Sequence, residues 1–275
     1  MAFRTSPVDP AALRQLEQAM RAAGRRIEEL KRQGLVARDK ADSSPVTDAD
    51  VEAERILREA VLAIEPAARI IGEEGAEGGA LPPPGSRFWL IDPLDGTREF
   101  LSGKDSYTVN LALVVEGVPV VGLVLHPPSA RLWTGVVGQG ASVAERDGPA
   151  RPVRTRPLAA SPALVVSHTH LDAQTRAWAE AVPQGRRTAA GSSIKFCVLA
   201  EGEADAYPRF GWTMEWDTAA GDALLRAAGG ITLADDGRPL RYGKPGYRNG
   251  AFLALGDPEA ARRLPPFGMA SARAG

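Results

Sequence analysis

Residues 89–100 read WLIDPLDGTREF. An apolar run ends at Asp92, and Asp95 follows three positions later with Pro93 and Leu94 between. If a buried strand leaves its sheet at Asp92, Pro93 fixes the backbone and both carboxylates converge on one point. Gly96 permits close backbone approach. Thr97 opens a short helix, TREFLSG, whose free amides face whatever the aspartates hold. Asp-Gly is also an ordinary turn signal, and on these residues alone DPLDGT is read at least as well as loop chemistry. The rest of the chain must decide between a turn and one wall of a metal site.

A chain of 275 residues can bury a large core, as one domain or two lobes. Its 33 basic and 34 acidic side chains leave no net field to draw it to nucleic acid or a membrane, so an anionic substrate must be held locally. A single cysteine, Cys197, excludes an internal disulfide framework and multi-cysteine zinc or iron–sulfur sites. With three histidines, His126, His168 and His170, a metal site must be built from oxygen donors, which suit hard cations such as Mg²⁺. MAFRTSPVDP has no apolar signal core and LALVV is too short to span a bilayer, so a soluble, cytoplasmic protein is expected.

Leu13, Leu16, Met20, Ala23, Ile27 and Leu30 recur at helical spacing between Pro10 and Gly34. A second helix starts at a capping box of Thr47 and Asp50, with Val51, Ile56, Ala60 and Ile64 as its expected buried stripe and Pro66 as its stop. After a loop rich in Gly and Pro, residues 88–92 are a short buried strand. YTVNLALVVEGVPVVGLVLHP forms two strands joined at Glu116-Gly117, and RLWTGVVG a third, in an antiparallel meander. Residues 145–162 are polar and proline-rich, a boundary between an α+β lobe, 1–155, and an α/β lobe, 156–275. In the second lobe ALVVSH, ADAYPR, ITLA and FLAL are strands, while LDAQTRAWAEAV, SSIKFCVLAEG and DTAAGDALLRAAGG are helices.

Three further acidic features shift the weight on DPLDGT. Glu73 and Glu74 follow Ile70-Ile71 at the end of another strand, Asp50 lies in the first turn of the second helix, and Asp217 is positioned to cap a later one. Each has a structural explanation when taken singly. Together they supply enough carboxylates for two or three divalent cations.

GEE, DPLDGT and WDTAAG in that order, with PVTDAD upstream, resemble the inositol monophosphatase superfamily of Mg²⁺-dependent, lithium-sensitive phosphatases, over roughly residues 10–255. The resemblance implies a layered αβαβα sandwich of the sugar-phosphatase type. It also implies a metal-ligand set of Glu73, Asp92, Asp95, the Leu94 carbonyl and Asp217. The implied reaction is direct attack by water, with two cations about 3.5–4 Å apart clamping the phosphate. Thr97 would hold the water, with Glu73 or Asp50 as proton acceptor or orienter. Haloacid-dehalogenase chemistry uses Asp-x-Asp-x-Thr, and the two-residue gap between Asp92 and Asp95 argues against it.

Glu99, within DGTREF, and GSSIKFCVLAEGEADAYPRFG, residues 191–211, resemble the CysQ-type 3′(2′),5′-bisphosphate nucleotidases rather than the inositol phosphatases. That implies hydrolysis of adenosine 3′,5′-bisphosphate to AMP and phosphate. By resemblance, Asp95, Gly96, Thr97, His170, Ser192, Lys195, Arg209 and Asp217 contact substrate. A second phosphate held without cleavage needs cations beyond the metals, and Lys195 and Arg209 are available for it, although either also fits an ordinary surface role. Trp212 and Tyr207 suit either adenine stacking or the core. Cys197, between Phe196 and Val198, suits packed core, and Asp235-Asp236-Gly237 a turn. The sequence leaves open monomer or homodimer, an inositol-1-phosphate or fructose-1,6-bisphosphate phosphatase, and a non-enzymatic metal or nucleotide sensor.

Overall fold

The computed structural model describes residues 7–34, 37–39, 45–76, 81, 83, 85–167 and 171–268. Helix α1, Pro10–Gln33, begins where the Asp9 carboxylate accepts the Ala11 and Ala12 amides, at 2.8 and 2.9 Å. It ends at Gly34, in the left-handed region at φ 89°. Strands β1, Ala37–Asp39, and β2, Pro45–Thr47, pair antiparallel ahead of α2, Asp48–Ile64.

The expected capping box of α2 is present, with the Thr47 amide donating to Asp50 Oδ2 at 2.7 Å. The buried stripe differs from expectation. Ala49, Ala53, Leu57 and Val61 face inward, whereas Val51 is 53% exposed and Ile56, Ala60 and Ile64 lie at the edge of the core. A strict four-residue repeat of mostly small side chains lets α2 lie close against α1, and that repeat sets the buried face.

The first sheet follows chain order: β3, Ile70–Gly72; β4, Arg87–Asp95; β5, Thr108–Val115; β6, Val118–His126; β7, Arg131–Val136; β8, Gly140–Glu145; and β9, Arg151–Val153. Only β3 and β4 run parallel. Glu116 and Gly117, at φ 50° and 70°, make the two-residue turn expected between β5 and β6. The meander is longer than predicted, because β9 lies inside the proline-rich stretch taken as a boundary. Pro152 is tolerated there because β9 is an edge strand. The short helix α3, Thr97–Leu101, follows β4.

The remaining elements are β10, Ala163–Ser167; α4, Ala173–Ala181; β11, Arg186–Ala190; α5, Ile194–Ala200; β12, Ala206–Arg209; β13, Thr213–Met214; α6, Trp216–Ala228; β14, Ile231–Ala234; β15, Arg248–Asn249; and β16, Phe252–Leu255. The second sheet has the order β11-β10-β12-β16-β14, parallel over its first three strands. Strand β11, RRTAA, carries no apolar alternation. It exists through pairing with β10, which a side-chain pattern does not reveal.

Helices α1 and α2 cover one face of the first sheet through Trp89, Ile91, Val109 and Leu111. The opposite face, through Leu90, Ala112 and Val124, packs with α5 and α6 against Tyr207 and Phe252 of the second sheet. Trp178 and Ala179 of α4 cover that sheet's outer side with Leu164 and Leu253. The layers are therefore αβαβα, as expected. Helix α6 approaches the first sheet so closely that a Cβ on Gly122 would lie 2.1 Å from the Ala220 carbonyl oxygen. This contact fixes the N-terminus of α6 beside the ends of β3 and β4.

Candidate active site

Because β3 and β4 are parallel, their C-terminal ends emerge together. Gly72 pairs with Ile91, and the Glu73 amide donates to the Ile91 carbonyl at 3.2 Å, so Glu73 stands beside Asp92 where β3 ends. Strand β4 continues through the motif to Asp95. Asp92 stands opposite Asn110 and Asp95 opposite Thr108, with Pro93 and Leu94 between them set against Val109 alone, so DPLD is a bulged strand rather than a turn after one. The Leu94 amide donates to Asp92 Oδ1 at 3.1 Å. Gly96 then takes φ 100°, and a Cβ there would lie 2.9 Å from the Ser106 carbonyl oxygen.

The Thr97 hydroxyl lies 3.2 Å from Asp50 Oδ1 and 3.0 Å from the Leu94 carbonyl oxygen. Asp50 Oδ2 is occupied by the Thr47 amide and hydroxyl, at 2.7 and 2.6 Å. Asp50 thus joins the start of α2 to the start of α3, behind the cavity described below. One turn along α2, the buried Glu54 accepts the Glu74 and Gly75 amides at 2.8 and 3.1 Å and holds the segment after Glu73. Sequence reasoning did not find Glu54; its spacing of four from Asp50, on the same helix face, was the available signal.

Asp217 does not cap α6, contrary to expectation. Glu215 occupies the cap position without a side-chain cap bond, and Asp217 Oδ2 accepts the Met214 amide at 2.9 Å from inside the first turn. Glu215 is itself buried and engaged by the Gly243 and Lys244 amides and the Lys244 ammonium, at 2.6, 3.0 and 2.7 Å. The Ser193 hydroxyl lies 2.8 Å from the Asp217 carbonyl oxygen and 3.3 Å from Asp95 Oδ2. Ser193 therefore links the two halves of the site, a role that nothing distinguished from its neighbour Ser192 in GSS.

Glu73, Asp95, Gly96, Thr97, Ser192, Lys195, Arg209 and Asp217 line one cavity of about 200 Å³. Glu99, Tyr207 and Thr213 line it as well. Asp92 and Leu94, each 1% exposed, lie beneath its wall, and His170 falls outside the described residues. Ser192 has φ 44°, and its buried Oγ has no partner among the described residues. Its carbonyl accepts from Lys195 Nζ at 2.6 Å. Lys195 is buried over the Tyr207 ring, 5.2 Å from its centre, and Tyr207 packs edge-on against Phe196 and Phe252. That packing leaves Tyr207 no free face for a base. Cys197 is fully buried in the same core, as expected.

Burial pushes the Asp92 carboxyl well above the usual carboxylate range, reinforced by the charges of Glu73, Asp95 and Asp217. Burial does the same for Asp217, with Asp95 and Glu73 adding to it. Asp95 is raised by burial too, partly offset by the Lys195 charge. Burial lowers Lys195 to about 8. Four carboxylates crowded into one place, with no sulfur or imidazole lining the cavity among the described residues, are the donor chemistry a hard divalent cation prefers. Among the described residues, no three His, Cys, Asp or Glu side chains are already drawn into a closed metal-gripping cluster. The set fits such an ion by chemistry, and the side chains would have to draw in around it.

Asn110, directly opposite Asp92 and buried, has neither its amide nitrogen nor its oxygen paired among the described residues. A polar residue mid-strand on the core side of YTVNLALVV was the missed signal.

The layering thus defines an αβαβα sandwich with an acidic cavity where β3 and β4 end and α6 begins. The model of the inositol monophosphatase family matches residues 9–263, and the chain belongs to that family. The 3′(2′),5′-bisphosphate nucleotidase CysQ of Escherichia coli K12 is 37% identical over 215 residues, covering 76% of this chain and 86% of that one. Among solved structures, CysQ from Bacteroides thetaiotaomicron superposes with a TM-score of 0.71 at 32% identity, covering 89% of this chain and 96% of that one. An inositol monophosphatase from Anabaena superposes at 0.68 with 26% identity, covering 94% and 97%.

Proposed function

We propose that this protein is a Mg²⁺-dependent phosphatase that hydrolyses the 3′-phosphate of adenosine 3′,5′-bisphosphate. The observation that carries the proposal is one cavity lined both by carboxylates, Glu73, Asp95 and Asp217, and by cations, Lys195 and Arg209. A phosphate monoester needs both: donors for counter-cations on its reacting side and fixed positive charge for what is bound but not cleaved. The similarity to CysQ nucleotidases over most of the chain supports the nucleotide as substrate.

Glu73, Asp92, Asp95, Asp217 and the Leu94 carbonyl would hold two or three Mg²⁺ ions. When bound, such ions supply positive charge to the phosphate and make a nearby water easier to deprotonate. The Thr97 hydroxyl has one proton and two acceptors, Asp50 and the Leu94 carbonyl. Donating to either leaves its lone pairs to accept from the attacking water and aim it at phosphorus. Glu73 takes the water's proton, and Asp50 fixes Thr97 from behind. A P–O bond forms to the water oxygen, the bond to the ribose 3′-oxygen breaks, and that oxygen takes the proton Glu73 had accepted, relayed by solvent water, to leave as AMP's hydroxyl. The Gly96 and Thr97 amides and Ser192 contact phosphate oxygens, and Lys195 and Arg209 hold the rest of the anion.

Among the described residues no helix is long and apolar enough to cross a membrane. A cytoplasmic monomer or homodimer acting on a small phosphate ester goes with this proposal. The direct test is phosphate release from adenosine 3′,5′-bisphosphate and from inositol 1-phosphate at equal Mg²⁺, with AMP identified as the product. A preference for the inositol ester would replace the nucleotide with a sugar alcohol. Nucleotide binding without phosphate release would leave a sensor.

A further inference from the structure

The reaction cavity, about 200 Å³, is smaller than the roughly 300–1,000 Å³ that encloses a typical drug-sized ligand. Its volume suffices for a phosphate and an adjoining sugar but not for a whole nucleotide. A second cleft of about 570 Å³ adjoins it and shares Arg209, Thr213 and Asp217 as a common wall. On its rim stands Trp212, 57% exposed and the most exposed large apolar side chain among the described residues.

Trp212 is not a loose surface residue. It precedes β13, which pairs with β15 so that Met214 faces Arg248, and the Arg248 guanidinium lies 3.7 Å from the centre of the Trp212 ring. The preceding loop is pinned where the Phe210 amide donates to Thr175 Oγ1 at 3.1 Å. Burial opposes the Asp172 charge, but bonds from the Thr175 amide and hydroxyl, at 2.8 and 2.6 Å, outweigh it and hold the carboxyl below its usual range, so the cleft wall carries a negative charge beside Arg209. Stacking uses only the flat face of a guanidinium and leaves its in-plane N–H donors free. Arg248 has no carboxylate partner among the described residues. Arg209, between the two cavities, donates to the Trp212 carbonyl at 3.4 Å and has a buried Nε without an acceptor among the described residues.

We infer that Trp212 and Arg248 form a preassembled subsite for the leaving part of the substrate. A flat heteroaromatic base lies against Trp212, and the second phosphate is shared between Arg209, on the common wall of the two cavities, and the in-plane donors of Arg248. The inference rests on the nucleoside bisphosphate proposal above and deepens it by naming what selects the nucleotide.

The test measures kcat and KM for adenosine 3′,5′-bisphosphate, adenosine 3′-monophosphate and inositol 1-phosphate in wild type, Trp212→Ala and Arg248→Ala. Base–aromatic stacking removed by alanine substitution predicts a rise of roughly 5- to 150-fold in KM for both adenosine esters in Trp212→Ala, with inositol 1-phosphate unchanged. Trp212→Phe restores most of the loss. Arg248→Ala raises KM about tenfold for the bisphosphate alone, the size of one charge-assisted contact. Calorimetric binding of AMP weakens in parallel in Trp212→Ala. A wild type that prefers inositol 1-phosphate overturns the nucleotide proposal and this subsite with it. A wild type that prefers the bisphosphate while Trp212→Ala keeps the wild-type KM overturns the subsite alone.

Discussion

The Thr97 hydroxyl faces Asp50 Oδ1 across 3.2 Å, joining the first turn of α3 to the first turn of α2. Asp50 does not line the cavity, whereas Glu73 does. Asp50→Asn is expected to lower kcat roughly 10²-fold, within the range for a disturbed acid–base apparatus, and to leave the Mg²⁺ requirement unchanged. Glu73→Gln is expected to lower kcat and also raise the Mg²⁺ needed for half-maximal rate. Mg²⁺ titrations of both variants check this; the reverse pattern would exchange the two roles.

Ser193 bridges Asp95 and the Asp217 carbonyl, so it sets the spacing between two proposed ligands. Ser193→Ala is expected to cost about 1 kcal/mol of stability, the net worth of an ordinary hydrogen bond. It is also expected to raise the half-maximal Mg²⁺ concentration several-fold. Denaturant melts with and without Mg²⁺ check both, and a variant with wild-type Mg²⁺ affinity would limit Ser193 to packing.

Burial lowers Lys195 to about 8, so the free enzyme loses this positive charge as pH rises through that value. A bound phosphate favours the protonated form and delays the loss. The expected profile is a fall in kcat/KM above about pH 8, borne by KM, with kcat nearly flat over the same interval. Lys195→Met is expected to lower kcat/KM at neutral pH and to remove that fall. A wild-type fall carried entirely by kcat would assign the titration to another group.

Asp205 is a stability determinant away from the site. Its buried carboxylate accepts from Arg156 Nε and Nη2 at 3.0 and 2.9 Å and from the Ala163 amide at 2.7 Å, where β10 begins. Burial opposes the charge, but the Arg156 and Ala163 bonds outweigh it and hold the carboxyl below its usual range. A depressed carboxylate adds stability above its unfolded pKa of about 3.9 and loses it as pH falls through the lower folded value. Asp205→Asn is expected to cost about 1.5–3 kcal/mol at pH 7 and to flatten the stability profile below about pH 4. Urea melts across pH 2.5–7 test both parts.

Much of this was legible in the sequence where one side chain decides a local outcome. Thr47 with Asp50, and Glu116 with Gly117, specify a cap and a turn by hydrogen bonding and backbone geometry alone. The order of GEE, DPLDGT and WDTAAG brought residues from β3, β4 and α6 to one cavity. What escaped depended on partners distant in the chain. The buried face of α2 is set by its fit to α1, β11 is set by β10, and β9 is an edge whose proline disguises it. Ser193, Glu54 and Asn110 have no pattern of their own, since each matters through what packs opposite. The exposure of Trp212 against the enclosure of Tyr207 could be decided only by seeing their neighbours.

In the proposed mechanism Asp92, with Glu73, Asp95 and Asp217, holds the cations on which hydrolysis depends. The most direct measurement pairs Mg²⁺ binding by calorimetry with phosphate release from adenosine 3′,5′-bisphosphate, in wild type and Asp92→Asn. The variant is expected to lose measurable Mg²⁺ binding and at least 10³-fold in turnover, about 4 kcal/mol of transition-state stabilisation, while remaining folded by circular dichroism. An Asp92→Asn protein that still binds Mg²⁺ and turns over at the wild-type rate would show that Asp92 holds no cation needed for hydrolysis.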